Sequence, residues 1–355
     1  MNDKKIVLSG IRPTGNLHLG NYLGALSKFV RMQDDFDCRF FVADLHALTT
    51  HPEPEMLHEN VKQIVAEYIA AGLDPEKNIL YVQSDVPEIS EMYLLLNMHV
   101  GIGELMRTAA FKDKARKALG IKAPDSEEDD HIEKDIIGNQ TNQRVNAGLL
   151  TYPTLMAVDI LIHHADFVPV GKDQEQHLEL TRRFARRFNS FYKNDYFSEP
   201  VNFNFGGEAV KVPGLDGSGK MGKSEGNCLY LMDDEKTLRK KVMRAVTDEG
   251  PKEPNQTPSQ PIANLFSLMD LVSEPSTVEH FKKAYADCSI RYGDMKKQLA
   301  EDILKVTLPI RERTLEIRND DAYLSKVIRS GAERARETAA KTLEEVRQIM
   351  GIRRF

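Results

Sequence analysis

The chain has 355 residues, 41% hydrophobic and 29% charged, which suits a sizeable core and favours two domains. Its net charge of −6 argues against a general nucleic-acid-binding protein, although a local basic face can still bind RNA. The three cysteines, Cys38, Cys228 and Cys288, are widely spaced, and no apolar run suits a signal peptide or a membrane span. These features predict a cytoplasmic protein without a membrane segment.

The first predicted element is a buried strand over residues 4–8, followed by a glycine-rich turn over residues 10–15. From His18 onward, apolar residues recur at helical spacing. A strand, a glycine-rich turn and a helix start direct backbone N–H groups toward an anion. His18 and Asn21 lie one turn apart, so both can face one ligand. An ordinary strand–helix turn is the alternative, and no G-x-G-x-x-G or P-loop pattern is present.

Strand-like and helical segments alternate through the first half of the chain. The predicted strands are 40–43, 79–82 and 167–170, and the predicted helices are 57–72, 151–164 and 174–188. Such alternation predicts an α/β fold, a doubly wound parallel sheet with helices on both faces. Ligands then bind at the carboxyl ends of the strands.

Strand patterns end near residue 233, and helical periodicity follows. The predicted helices are 233–247, 261–273, 276–286, 293–318 and 321–350. We therefore predict an α/β domain over residues 1–232 and an all-helical domain over residues 233–355, whose last helix packs back on the first domain. The charge-dense stretch 115–145 is predicted as an irregular, solvated insertion.

A second chemical motif is the loop 220–224, Lys-Met-Gly-Lys-Ser, which lies among several glycines. Two cations on a mobile loop suit a negative charge that grows and then leaves, as pyrophosphate does. A solvated linker with stray lysines is the alternative for this segment taken alone.

Six segments in this order carry a specific resemblance: 9–21, 44–49, 111–114, 146–161, 168–179 and 220–224. Together they resemble the bacterial tryptophanyl-tRNA synthetases, which are class I aminoacyl-tRNA synthetases, over nearly the whole chain outside 115–145. The resemblance implies a Rossmann-like catalytic domain, a helical domain that binds the tRNA anticodon arm, and a homodimer. It also implies ATP-dependent activation of tryptophan and transfer to tRNA(Trp), with release of AMP and pyrophosphate.

The resemblance also implies an ATP site. Residues expected to contact ATP are Arg12, Pro13, Thr14, Gly20, Asn21, Gly171, Lys172, Asp173, Val212, Lys220, Met221, Gly222, Lys223 and Ser224. Residues expected to take part in catalysis are His18, Asn21, Lys114, Lys220 and Lys223. Mg²⁺ is expected to enter with ATP, without dedicated metal ligands from the protein.

The implied tryptophan site centres on Asp159, which would accept the indole N–H. The other expected lining residues are Gly10, His46, Tyr152, Met156, Val170 and Gln174. An acidic residue within the apolar run 155–161 is unfavourable to bury without a partner, and a ligand N–H supplies one. An internal hydrogen bond or a surface carboxylate is the alternative.

The sequence departs from the family pattern at four places. Gly222 replaces the middle serine of the lysine loop, Arg12 stands where glutamine is frequent, and Lys172 stands where an acidic residue is usual. The stretch 115–145 is longer by roughly two dozen positions.

Three other classes of protein remain open from the residues alone: a tyrosyl-tRNA synthetase, a non-catalytic regulator that binds RNA or tryptophan, and a nucleotidyltransferase. For tRNA, three basic clusters are candidate contact surfaces, namely residues 182–187, residues 236–244 and the tail from Arg334 to Arg354.

Overall fold

The computed structural model describes residues 4–121, 145–171, 174–203 and 211–352, apart from the side chain of Ser224. Within these ranges five parallel strands form one sheet in the order β3-β2-β1-β4-β5. They are β1 (Ile6–Ile11), β2 (Asp37–Val42), β3 (Ile79–Val82), β4 (Phe167–Val168) and β5 (Val201–Asn202). The predicted α/β fold class with a doubly wound parallel sheet is confirmed. Because the strand order reverses between β1 and β4, a crevice opens at their carboxyl ends.

Helices follow most strands and cover the sheet. In the first half they are α1 (Leu19–Asn21), α2 (Ser27–Met32), α3 (Asp44–Ala47), α4 (Pro54–Ala70), α5 (Glu88–Asn97), α6 (Ile102–Met106), α7 (Ala109–Leu119), α8 (Ala147–Leu161) and α9 (Glu175–Tyr192). A π-helical stretch, Tyr22–Leu26, joins α1 to α2.

The second half of the described chain is helical. Its helices are α10 (Glu235–Met243), α11 (Gln260–Val272), α12 (Pro275–Ala286), α13 (Tyr292–Arg318) and α14 (Asp321–Ile349). All five overlap the helices that the periodicity predicts. The division at residue 232 stays a prediction, as does an anticodon-binding role for these helices.

Two apolar cores lie on the two faces of the sheet, because alternate residues of each strand point to opposite faces. Val7 and Phe40 pack with α4, whereas Leu8 and Phe41 pack with α5, α8 and α9. A separate core holds α10 to α13 together and includes the residues that follow the lysine loop.

The C-terminal helix α14 lies directly against the edge strand β3. At the contact, a Cβ atom built on Gly331 would lie 1.8 Å from the carbonyl oxygen of Leu80. Only a glycine lets the helix and strand backbones approach this closely. This contact places the last helix on the sheet itself.

Some boundaries differ from the sequence-based expectations. The prediction that 115–145 is irregular is wrong at its start, since residues 115–119 complete α7. Phe111 and Ala115 are buried in a small cluster with Leu149, which gives the helix an apolar face. Residues 122–144 lie outside the described ranges. The two-residue strand β5 was too short to produce a sequence pattern.

Within the described ranges, none of the helices combines the length and the apolar character that crossing a membrane requires.

Candidate active site

A cavity of about 650 Å³ opens where the strand order reverses. It is bounded by the end of β1 on one side and by the residues after β4 on the other. Eleven residues predicted for the site line it: Gly10, Arg12, Asn21, His46, Lys114, Tyr152, Met156, Asp159, Val170, Gly171 and Gln174. These residues come from seven separate elements and loops, and the parallel topology brings them to one edge of the sheet.

Asp159 is the only acidic residue in helix α8 and is 1% exposed. Its two carboxylate oxygens have separate protein donors: His46 Nε2 lies 2.9 Å from Oδ2, and Gln83 Nε2 lies 2.7 Å from Oδ1. Burial raises the pKa of Asp159, and the hydrogen bonds from His46 and Gln83 oppose that shift. The carboxylate is therefore oriented by two side-chain donors, and each oxygen keeps lone pairs for a further donor.

Tyr152 lies about two helical turns before Asp159 and is fixed from two sides. Its hydroxyl lies 2.8 Å from His177 Nε2, and the ammonium of Lys114 lies 3.4 Å from the centre of its ring. Burial, followed by the charge of Arg12, lowers the pKa of Lys114 to about 8. The cavity thus holds a cation that a phosphate anion would stabilise in its charged form.

The predicted helix start at His18 is a reciprocal cap. The backbone N–H of Asn21 donates to His18 Nδ1 at 3.2 Å, and Asn21 Oδ1 accepts from the backbone N–H of His18 at 3.1 Å. Burial, Lys223 and Lys220 lower the pKa of His18 to about 4, so the ring is neutral near pH 7. Because Nδ1 is an acceptor, the ring proton lies on Nε2, which is then a donor for a ligand.

The lysine loop is connected to the turn after β1 by side-chain and backbone hydrogen bonds. Lys223 Nζ donates to the carbonyl oxygens of Gly15 at 2.9 Å and Thr14 at 3.4 Å. Just beyond the loop, Leu231 N donates to Leu17 O and Leu19 N donates to Leu229 O. The two segments that the sequence singled out therefore form one structural unit.

The remaining predicted ATP residues lie around this unit and not in the cavity lining. Val212 and Met221 are buried in the core below the loop, where Met221 N donates to Val212 O at 2.9 Å. Pro13 is buried, Gly20 is half-buried, and Thr14 and Lys220 are exposed. Gly222 has an extended backbone, with φ of −148°. Lys172, Asp173 and the side chain of Ser224 lie outside what the structure describes.

Sequence reasoning missed three buried polar residues of this region. Gln83 directly follows β3, so its position at the carboxyl edge of the sheet could have indicated it. His177 lies one turn beyond Gln174 in α9 and lines the cavity. Glu67 lies in α4, fully buried, and its carboxylate faces the turn after β1. Glu67 occupies a core position of helix α4, and a glutamate at such a position could have been noticed from the helical periodicity of the sequence.

The three basic clusters differ in how their charges are balanced. Arginines of α9 form ion pairs with Glu104, Glu179 and Glu199. In the tail, Arg336 pairs with Glu88 and Arg347 with Glu91. On α10, by contrast, Lys236 and Lys240 are exposed, as is Arg244 at the C-terminal cap of this helix, and within the described ranges no ion pair includes the three.

A five-stranded parallel sheet of this order, whose first turn and helix start are joined to a two-lysine loop, defines the catalytic fold of a class I aminoacyl-tRNA synthetase. The chain belongs to the family described as tRNA synthetases class I (W and Y), which matches residues 1–307.

Within this family, the chain is similar to two tryptophan–tRNA ligases and to one solved tryptophanyl-tRNA synthetase structure. The chain is 59% identical to the tryptophan–tRNA ligase of Porphyromonas gingivalis over 98% of this chain and 99% of that one. It is 38% identical to the tryptophan–tRNA ligase of Fusobacterium nucleatum over 97% of each chain. A tryptophanyl-tRNA synthetase of Campylobacter jejuni, solved with ADP and tryptophan, has a TM-score of 0.82 and 31% identity, covering 98% of this chain and 99% of that chain.

Proposed function

We propose that this chain activates L-tryptophan with ATP and transfers it to tRNA(Trp). In the first step a carboxylate oxygen of tryptophan attacks the α-phosphorus of ATP, and the bond from that phosphorus to pyrophosphate breaks. In the second step a ribose hydroxyl of the tRNA attacks the carbonyl carbon of the adenylate, and AMP leaves. The single observation that carries the proposal is the buried Asp159 in the lining of this cavity, in a chain 59% identical to a tryptophan–tRNA ligase.

Recognition of an indole needs an acceptor for its N–H inside an otherwise apolar slot. Asp159 supplies the acceptor, while Phe41, Met156 and Val170 supply apolar walls. A Cβ atom built on Gly10 would lie 2.3 Å from the ring of Phe41, so the glycine leaves this ring room at the cavity. His46 and Gln83 orient the carboxylate so that the acceptor does not have to be reorganised when tryptophan binds.

Activation needs no side-chain nucleophile, because the substrate carboxylate is the nucleophile. The protein must position the reactants and stabilise the charge that develops on pyrophosphate. Neutral His18 and Asn21 present donors at the helix start, and Lys114, Lys220 and Lys223 present positive charge. We infer that Mg²⁺ arrives bound to the ATP phosphates and shares this charge stabilisation.

The helix α10 offers a surface for tRNA. Lys236, Lys240 and Arg244 recur every four residues, so they lie along one face of the helix. Because acidic neighbours do not neutralise them within the described ranges, they are better suited to phosphate contacts than the paired arginines of α9.

We infer that the reaction takes place in the cytoplasm, which supplies ATP and tRNA. The free thiols of all three cysteines agree with this location.

A homodimer is supported by a cluster of exposed apolar side chains. Leu94, Met98, Ile102 and Phe191 are 56%, 68%, 66% and 69% exposed. The His99 ring lies 5.2 Å from that of Phe191 and joins the α5 end to α9. Apolar side chains grouped in this way are typical of a protein interface. Phe191→Glu should shift the sedimentation coefficient to that of a monomer, whereas a dimer that persists would place the interface elsewhere.

The proposed function is tested by charging. Purified protein with ATP, Mg²⁺ and labelled tryptophan should produce one AMP for each tryptophan attached to tRNA(Trp), and tRNA(Tyr) should remain uncharged. Tryptophan binding without AMP release would support a non-catalytic regulator.

A further inference from the structure

Glu67 is a fully buried carboxylate that the chemistry of activation does not use. It lies in α4, 0% exposed, beneath the turn that carries His18. Burying a carboxylate is unfavourable unless hydrogen bonds and opposite charge compensate it. Its partners therefore indicate what it does.

The two oxygens of Glu67 have different kinds of partner. Oε2 accepts the backbone N–H of Leu17 at 2.9 Å, while Oε1 accepts from Gln63 Nε2 at 3.0 Å. The carbonyl of Leu17 accepts from Leu231 N at 2.9 Å, so both polar groups of Leu17 are held. Glu67 thus orients the peptide immediately before His18, and through it the capped helix start.

The charged groups that act on Glu67 come from the neighbouring elements. The Lys223 ammonium on the lysine loop is one, and the Arg318 guanidinium at the end of α13 is the other. Burial, which is the largest effect, raises the pKa of Glu67 to about 7 in spite of the hydrogen bonds from Leu17 and Gln63 and these two cations. At neutral pH the carboxylate is therefore close to the midpoint of its titration.

We propose that Glu67 is a positioning residue whose carboxylate takes up protons from solvent when ATP binds: it holds the turn before His18 in both protonation states, and its negative charge offsets Lys223 mainly while the phosphate site is empty. The inference rests on the proposed function, which places the ATP phosphates at His18 and the lysines. An arriving polyanion disfavours a nearby carboxylate, and a Lys223 that turns toward phosphate no longer stabilises it. Both changes favour the protonated acid.

Gln63 makes this proton uptake feasible. A side-chain amide can donate through its nitrogen to a carboxylate, or accept through its oxygen from a carboxylic acid. Rotation of one amide group therefore keeps Oε1 hydrogen-bonded in both states. The other oxygen remains an acceptor for Leu17 N–H when Oε1 carries the proton, so the turn stays attached.

The test is calorimetric titration of the full chain with Mg²⁺·ATP, without tryptophan, in buffers of different ionisation enthalpy slightly above neutral pH. We expect the wild type to take up about half a proton per site more than Glu67→Gln. Lys114 also takes up protons, but equally in both proteins. Glu67→Gln should keep tryptophan affinity within about twofold, because the amide oxygen still accepts from Leu17 N–H. Glu67→Leu, which lacks an acceptor, should weaken ATP binding about tenfold.

Two further variants complete the experiment: Asp302→Asn is a control for folding, and Gln63→Leu is a second test of the inference. Asp302→Asn removes another buried helical carboxylate, which accepts from Lys305 and Gln298, and should retain the wild-type proton uptake. Gln63→Leu keeps the Leu17 contact but raises the pKa of Glu67 further, so it should lower the uptake. Wild-type uptake in both Glu67→Gln and Gln63→Leu would overturn the inference. If both variants showed wild-type proton uptake while tryptophan-dependent pyrophosphate exchange still proceeded, the inference about Glu67 would fail and the proposed function would stand. Proton uptake that depends on Glu67 without exchange would instead overturn the proposed function.

Discussion

The ammonium of Lys223 lies 2.9 Å from the carbonyl oxygen of Gly15, so a cation of the lysine loop 220–224 is bound to the glycine-rich turn after β1. A neutral carbonyl is a weaker partner for a cation than a polyphosphate is. Lys223 is therefore available to turn from the carbonyl toward pyrophosphate as negative charge develops there.

This relationship predicts the kinetics of the loop variants. Lys220→Ala and Lys223→Ala should each lower the activation rate more than tryptophan affinity, since their charges act mainly in the transition state. Pre-steady-state formation of the adenylate measures the rate, and the binding of tryptophan measures the ground state. An equal loss of both would show that the lysines act on folding or on uniform binding.

Gly222→Ser is a matched test in the same loop. The backbone at Gly222 is extended, and an added Cβ would meet only Glu225 Cγ at 3.4 Å. The side chain therefore fits, and the loop loses flexibility, so we expect an equal or faster activation rate. A clear loss of rate would show that the loop requires glycine.

Asp159→Ala should weaken tryptophan activation by about 2 kcal/mol or more, since it removes a charged acceptor and leaves His46 and Gln83 without one. ATP affinity should change little. The chain contains no tryptophan, so the fluorescence of the ligand can be followed without an indole background from the protein. Unchanged tryptophan affinity would rule out the proposed role of Asp159. Thr49→Ser, a conservative change in the same cavity lining, is the control.

Replacing Lys236, Lys240 and Arg244 together by Gln should weaken tRNA charging strongly and reduce its salt slope by about 2. Pyrophosphate exchange, which needs no tRNA, should survive. The control is the triple replacement of Lys282, Lys283 and Lys297, which removes the same charge from α12 and α13. If both triple variants weakened charging equally, net charge and not a specific face would govern tRNA binding.

Gly331→Ala should destabilise the fold by about 3 kcal/mol, because a methyl group would overlap the backbone of β3. Gly293→Ala in α13 is the control, since its Cβ would meet nothing within 4 Å. That change should be neutral or stabilise by up to about 1 kcal/mol. Chemical denaturation measures both. A Gly331→Ala protein as stable as the wild type would contradict the close backbone contact.

The sequence was most informative where hydrophobic periodicity and the positions of glycines indicate local structure. The long helices and the edge of the sheet that carries the site follow from such patterns, whereas the cavity residues His46, Tyr152 and Asp159 were identified through the resemblance to a known family. Contacts between distant segments leave no local pattern. The bond from Leu17 to Glu67 joins residues 50 positions apart, and the contact of α14 with β3 depends on one glycine. The prediction that residues 115–119 are irregular was wrong because the charged residues of this segment concealed the apolar spacing of Phe111, Ala115 and Leu119.

The central claim is that this cavity activates tryptophan. Pyrophosphate exchange, measured with ATP and each of the standard amino acids in turn, tests it most directly. Tryptophan alone should support rapid exchange, and Asp159→Ala should abolish most of it. Exchange that tyrosine supports as well as tryptophan, or a protein that binds tryptophan and ATP without exchanging pyrophosphate, would contradict the account.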